Sequence, residues 1–572
     1  MTRRPVPARA RTLLTFASIA VSLAAADTYV VVLALTDMMQ GVGLGIENLQ
    51  RAAPIISGFL LGYIAVLPLI GRLADLLDRQ RVLLGCLAIF VAGSAVTALA
   101  VELKVLVAGR VIQGVGGGGL VPATLAIVAA LWPPERRGLP LGVVGGVQEL
   151  GSVLGPVLGA LVLMVADWRM IFWLNAIAGV VLALLVASAA GVSGVARAPG
   201  GGGWRASGIR TVVVALAAAT LGLALWAPDR LTTSVSLGTP FVPFGTMTSR
   251  LATPIGVLGL GLTLLAVTLM VLASWPALRR ADPLGAALLG GSLGAVVLTF
   301  AASDPEKEVV GPLGLALLPL AGLLALGYAV VHRRSPNPVI PRGVVRGRTG
   351  WALVVSLCVG VALVAVVVDV PLLARLVHVQ TSGGPSPATA GALILVRFLL
   401  AVPVGAVVGG WLLRRFGDGL VAGVGLLLAA TGLVVLSTYG RGSFTALSSY
   451  AVLALAGFGL GLALAPINNA ALADSPQDAH GSASALVVVS RMIGMVVGIA
   501  LLTAIGLRHY YTVVAALPDP SDKRALVDAG IAQVHYVFRG ATVAAVLGAL
   551  TCPLLGLSRR GTSGSPQRTY GL

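Results

Sequence analysis

Apolar residues fall in long blocks separated by short polar or basic punctuation, and no strand-like alternation interrupts them. Sixteen blocks are long enough to cross a bilayer as helices. Six lie near 12–35, 53–74, 82–101, 105–131, 139–165 and 170–190. Four lie near 209–226, 254–275, 284–302 and 312–331. Six more lie near 351–377, 388–412, 419–438, 444–471, 483–507 and 540–558. The pattern predicts an all-α polytopic membrane protein. Residues 1–190 form an N-terminal six-helix bundle, and 191–350 supply a cytoplasmic linker plus four inserted helices. Residues 351–558 form a C-terminal six-helix bundle with a long outer loop at 506–540, and 559–572 are a cytoplasmic tail. The linker 191–210 contains Gly200 to Gly203 with Arg197 and Arg205, a flexible composition. Lys and Arg are in excess on the side that holds both termini, which makes that side cytoplasmic.

Composition agrees. Apolar residues are 57%, charged residues 10%, and mean hydropathy is +0.98, too little charge for a soluble chain of 572 residues. The net charge of +18 does not point to nucleic acid, because the arginines are scattered through short loops without a basic block. Cys86, Cys358 and Cys552 each sit in an apolar block and read as packing residues. Arg3, Arg4, Arg9 and Arg11 ahead of Leu13–Ala26 resemble a secretory signal, but the apolar run continues to Leu35, so an uncleaved first helix is expected. His332, His378, His480, His509 and His535 form no metal or protease motif, and no nucleophile elbow occurs. An enzyme, a metal and an organic cofactor are therefore not expected. The glycine run 114–119 follows no strand and reads as close helix packing.

The informative residues are the charges inside apolar blocks, which are costly there and by default functional. Asp27 lies about 8 residues, roughly 12 Å, from the outer end of the first block, and Arg110 sits at similar depth in the fourth. Glu149 lies about 10 residues, roughly 15 Å, from the inner end of the fifth block. Arg491 is about 8 residues, roughly 12 Å, from the same side. Each acid thus has a candidate arginine. Asp369 and Arg397, in consecutive antiparallel blocks, are a third possible pair, either a structural bridge or a polar contact lining a cavity. Glu149 precedes Gly151, Gly155, Pro156 and Gly159, which allow a kink and a close neighbour. Gly151 and Gly155 recur in spacing as Gly494 and Gly498, a faint internal repeat typical of transporters. Burial favours a neutral carboxyl and a nearby arginine favours the charged form. A movement that parts acid from arginine would take up a proton, and re-pairing would release it. A static ion pair is the other reading.

Five motifs support a resemblance. Gly71-Arg72-Leu73-Ala74-Asp75-Leu76-Leu77-Asp78-Arg79 lies between the second and third blocks, with Asp78 where the usual pattern has Gly. Leu106, Arg110, Gln113, Gly114 and Gly116 lie in the fourth block; Gly151, Gly155, Pro156 and Gly159 in the fifth; Asp27 to Val31 in the first; Trp168, Arg169, Phe172 and Asn175 at the sixth. In this order the chain resembles the major facilitator superfamily, and within it the fourteen-helix drug:proton antiporters. Leu61 to Ala65, Gln148 to Pro156 and Val487 to Met495 add a likeness to the mycobacterial multidrug and triacylglycerol exporters, which work with a lipid-carrying periplasmic lipoprotein. The family has two helices between its halves. The 282–331 pair resembles these, and 209–275 is then an insertion.

The resemblance implies a proton-coupled exporter of lipophilic drugs or acyl lipids in the bacterial cytoplasmic membrane, driven by the proton gradient without other cofactors. Asp27, Glu149, Arg110 and Arg491 are its expected proton-coupling residues. Gly71, Asp75, Arg79 and the fifth-block Gly-Pro run form its conformational gate, with Asp75 facing a helix N-terminus. The long outer loop would meet an extracytoplasmic lipid-carrier lipoprotein. A non-transporting receptor or scaffold of the same architecture is the alternative.

Overall fold

The computed structural model describes residues 8–44, 49–189, 204–233, 238–244, 249–300, 314–377, 387–440, 442–519 and 522–556. Its regular structure is helical throughout: α1 Ala8–Gly41, α2 Leu49–Leu76, α3 Arg79–Ala98, α4 Leu103–Leu131, α5 Gly138–Leu163 and α6 Arg169–Ser188. Next come α7 Trp204–Trp226, the single turn α8 Asp229–Thr232, α9 Pro254–Arg280, α10 Pro283–Thr299 and α11 Leu317–Arg334. The last six are α12 Arg348–Val377, α13 Pro387–Leu412, α14 Asp418–Leu436, α15 Ser448–Ala473, α16 His480–Ala515 and α17 Lys523–Thr551. Each of the sixteen apolar blocks is a helix. The tail 559–572, His378 and most of the linker lie outside the described residues.

Fourteen of these helices are long and apolar enough to span a membrane, two fewer than the sixteen spans expected. The short one is α10, whose 17 residues reach about 26 Å against the roughly 30 Å of hydrocarbon. The other is α11, which ends in His332, Arg333 and Arg334. The outer stretch at 506–540, whose sequence allows helical parts, is helical over much of its length. The chain stays helical to Ala515 and resumes at Lys523. The 36 residues of α16 measure about 54 Å, so the polar stretch extends a helical hairpin. His509 stacks on Tyr536 with ring centroids 3.8 Å apart, and His535 Nε2 lies 2.6 Å from the Tyr439 carbonyl.

The chain divides into two compact units. The first comprises Met1–Leu131, Val147–Arg342 and Gln477–Val489; the second comprises Trp132–Gly146, Gly343–Pro476 and Ser490–Leu572. In the first, α4 is the central helix, almost wholly buried against α1, α2 and α3. Its glycines make this possible. A Cβ on Gly114 would collide with the Phe59 carbonyl, and one on Gly116 with the Phe90 amide. One end of this unit is closed by an apolar core of Met38, Met39, Ile55, Leu106, Trp168 and Phe172, the last two rings in T-shaped contact at 5.9 Å. Arg169 ties the start of α6 to this end, donating to the carbonyls of Gly41 and Ala100 at 3.3 and 3.1 Å. The inserted helices attach here too. Gly290 of α10 lies against the backbone of Ala65 in α2, while α7 and α9 pack on each other, joined to Glu102 through the Arg250 amide at 2.9 Å. Most of the outward surface of α9 is exposed Leu, Val and Met, as suits a lipid-facing helix.

In the second unit α12 packs on α17 and α13 on α15. The glycine repeat read from sequence has a structural counterpart within each unit. Gly151 and Gly155 of α5 lie against the backbone of α1 at Ser22 and Ala26, and Gly494 and Gly498 of α16 lie against α12 at Leu357 and Val361.

Candidate functional site

Asp27 projects from the middle of α1 into the first unit and is 1% exposed. An isolated carboxylate there would be prohibitively costly, so its partners define the site. Arg110 of α4 donates through Nη1 to Asp27 Oδ2 at 2.5 Å. Gln113, one turn further along α4, donates through Nε2 to Asp27 Oδ1 at 2.9 Å. Asn175 of α6 donates through Nδ2 to the same Oδ1 at 2.6 Å. Four helices thereby converge on one carboxyl group, because α3 contributes Ser94, whose Oγ accepts a second hydrogen bond from Gln113 Nε2 at 2.9 Å.

The arginine is fixed as tightly. Its Nη1 also donates to Gln113 Oε1 at 2.5 Å and its Nε to the Ile55 carbonyl of α2 at 3.3 Å. The guanidinium carbon lies 4.5 Å from the Phe59 ring centroid and 5.7 Å from that of Phe172, a cation–π setting that compensates part of its lost hydration. Arg110 is 1% exposed and Gln113 fully buried. The Asp27–Arg110 proximity expected from helix depth is thus realised. Gln113, Asn175 and Ser94 complete it, and sequence reasoning gave none of them a role at this site. One signal was available: Gln113 follows Arg110 by three residues and so shares its helix face.

Glu149 of α5 and Arg491 of α16 are both buried, at 6% and 7% exposure, and both have interaction partners. Glu149 belongs to the first unit and Arg491 to the second. After Glu149, Gly151, Gly155 and Gly159 make a flat stripe on α5. A side chain on Gly155 would meet the carbonyl of Ala26, the residue before Asp27, and one on Gly159 would meet Val30. Pro156 lies within the helix on the same stretch. The Gly-Pro run therefore sits directly on the helix that bears Asp27.

Asp75, near the end of α2, accepts three hydrogen bonds at the start of α16: from the Gly481 amide at 2.6 Å, the Ser482 amide at 2.9 Å and Ser482 Oγ at 2.6 Å. These amides are among the unpaired donors at a helix N-terminus, where a carboxylate is favoured. Gly71 makes the approach possible, since a Cβ there would fall 2.5 Å from that of Ala485. The residue at the position usually held by Gly, Asp78, has φ −60° and caps α3 by accepting from the Arg81 amide at 3.0 Å. The turn has no left-handed residue at this point, and an acid serves it as an N-cap. Arg79 opens α3, and its Nε has no hydrogen-bond partner among the described residues. Asp75→Asn is expected to lower stability by about 2 kcal/mol, the size of a lost hydrogen bond to a charged group. A denaturant midpoint on the purified full chain reads this, and an unchanged midpoint would mean that the α2–α16 contact adds nothing.

For the third pair, the structure gives contacts of Arg397. Arg397 of α13 directs its guanidinium to α15, with Nη1 donating to Ser449 Oγ at 2.8 Å and to the Phe444 carbonyl at 3.2 Å, and it lies 3.6 Å from the Tyr450 ring centroid. Asp369 is buried at 6% exposure and has an interaction of its own. The long arginine side chain reaches a hydroxyl, a carbonyl and an aromatic face. Sequence reasoning also missed the ion pair between Arg348 of α12 and Asp418 at the start of α14, to which Asn469 of α15 adds a hydrogen bond at 2.8 Å. The described residues hold no cluster of His, Cys, Asp and Glu suited to a metal ion.

Fourteen apolar spans, a buried acid–arginine pair on facing helices and a carboxylate bound to a helix N-terminus define a multi-pass membrane protein of transporter type. The family model of the Major Facilitator Superfamily matches residues 17–332 and 249–499, and the chain belongs to that superfamily. Its relatives include a triacylglyceride transporter of Mycobacteroides abscessus, 34% identical over 526 residues that cover 89% of this chain and 86% of the relative. A triacylglyceride transporter of Mycolicibacterium smegmatis is 35% identical over 563 residues, covering 93% and 85%. One of Mycobacterium tuberculosis is 34% identical over 522 residues, covering 87% and 83%. Among solved structures, the proton:xylose symporter XylE superposes with a TM-score of 0.55 at 13% identity, covering 96% of this chain and 95% of that one. The human organic anion transporter MFSD10 superposes with a TM-score of 0.53 at 16% identity, covering 94% and 100%. These two share the fold.

Proposed function

We propose that the chain is a proton-coupled exporter of lipophilic cargo, with acyl lipids such as triacylglycerol as its substrate class, working by alternating access in the bacterial cytoplasmic membrane with both termini cytoplasmic. The observation that carries the proton part is the Asp27–Arg110 pair, a titratable group in the middle of a span whose stability depends on its charge. The cargo is supported by identity of about one third, over most of the chain, to triacylglyceride transporters.

The proposed cycle uses these residues. With Asp27 charged, Arg110, Gln113 and Asn175 bind α1 to α4 and α6. A proton arriving at Asp27 removes the charge that holds Arg110, so α1 is released from α4. The same helix rests on the Gly151–Gly155–Gly159 stripe of α5, and its movement is passed to the segment bearing Glu149. Glu149 is the second proton station and takes the proton when Asp27 gives it up; Arg491 is a further coupling residue within its own unit. Asp75 at the α16 N-terminus is the cytoplasmic latch, which closes when its three hydrogen bonds form. The helical extensions of α16 and α17 are the surface for a lipid-carrier lipoprotein on the outer side. Small lipophilic drugs are a second class of cargo.

The test uses proteoliposomes of the full chain under an imposed proton gradient. Export of a labelled triacylglycerol is compared with that of a cationic dye, wild type beside Glu149→Gln. Lipid movement that fails in the variant supports the proposal. Dye movement alone makes the chain a drug antiporter, and movement of neither removes the transport reading in favour of a receptor or scaffold.

A further inference from the structure

Asn175 lies outside both the acid–arginine pair and the gate, yet its amide nitrogen reaches Asp27 Oδ1 at 2.6 Å. Every hydrogen bond that reaches Asp27 arrives from a donor: Arg110, Gln113 and Asn175. The shell is therefore built for the carboxylate, since a carboxylic acid carries an O–H that needs an acceptor. Gln113 is unable to become that acceptor. Its Oε1 is held by Arg110, which only donates. Its Nε2 is also held by Ser94, whose hydroxyl proton is already given to the Phe90 carbonyl at 2.8 Å. The direction of this chain is fixed at both ends. Asn175 is not tied in this way, and it alone brings α6 to the carboxyl group.

We infer that Asn175 is a positioning residue that sets the pH at which Asp27 takes up its proton, which makes α6 part of the coupling machinery. The inference rests on the proposal that Asp27 is a proton site. In the charged state Asn175 gives Asp27 a charge-assisted hydrogen bond, stronger than any it can accept from the neutral acid. Its removal therefore shifts the balance toward protonated Asp27. The groups facing Asp27 from the other packed helices are Arg110 as the charged one, Gln113, and Ser94 by way of Gln113; α2 faces it through the Ile55 carbonyl and Phe59 around Arg110, and α5 lies against α1 here through Gly155 and Gly159, its titratable residue being Glu149. None of these is altered by a change at Asn175.

The experiment is a pH titration of the full-length protein in nanodiscs, following the infrared carboxyl band that Asp27→Asn abolishes. Asn175→Leu removes the donor. Asn175→Asp keeps the shape and replaces the donor with an acceptor, so a folded variant is at hand if the apolar one misassembles. The midpoint should rise by about one pH unit in Asn175→Leu and by more in Asn175→Asp. A midpoint equal to that of wild type in either folded variant would overturn the inference, leaving Asn175 a packing residue. A wild-type spectrum with no band sensitive to Asp27→Asn would instead overturn the proton-site reading on which it rests.

Discussion

Arg110→Leu is expected to lower the stability of the full chain by about 3–5 kcal/mol, because it leaves the Asp27 carboxylate buried without its counter-charge. The leucine side chain is shorter but apolar, so packing against Phe59 and Phe172 survives only in part. The double variant Asp27→Asn with Arg110→Leu should recover most of that loss, since no orphan charge remains and Gln113 and Asn175 still find an amide to bond. Denaturant unfolding in detergent reads both. A single variant as stable as wild type would mean that water reaches Asp27, in conflict with its 1% exposure.

Asp27→Asn is expected to leave the fold intact and abolish coupling. An amide has nearly the shape of the carboxyl group but binds no proton at working pH; its oxygen keeps Gln113 and Asn175 as donors, while its nitrogen replaces the acceptor of Arg110, which retains Gln113 Oε1 and the Ile55 carbonyl. One unit of pH difference is worth 1.36 kcal/mol per proton, about a tenfold accumulation of cargo for each proton exchanged. Wild-type vesicles should show that factor or a power of it, and Asp27→Asn vesicles should show none while still allowing cargo to equilibrate. Equal accumulation by both would place the coupling site elsewhere, with Glu149 the next residue to test.

Helix positions were legible because the apolar blocks are long and their breaks are sharp. The ends were less so. Hydropathy falls after about residue 507, but α16 runs on to Ala515: apolarity marks the membrane boundary, and helix formation continues past it wherever side chains allow. Asp27 and Arg110 could be matched from depth alone because α1 and α4 each carry one charge at that level. Depth says less about Arg397, whose guanidinium also has Ser449, the Phe444 carbonyl and Tyr450 within reach. Asn175 could not be placed from depth. Neutral amides carry no membrane penalty large enough to single them out, and which face of α6 meets α1 is set by packing. Asp75 was readable because a carboxylate beside a helix start has an obvious electrostatic partner, and the structure supplies the Gly481 and Ser482 amides.

The most direct test of the account is proton movement in sealed vesicles containing the purified full chain, a pH reporter in the lumen and triacylglycerol loaded on one side. The account predicts that lipid moving one way drives protons the other way, and that Asp27→Asn abolishes the proton signal. Triacylglycerol that crosses with no accompanying proton movement in the wild type would contradict it.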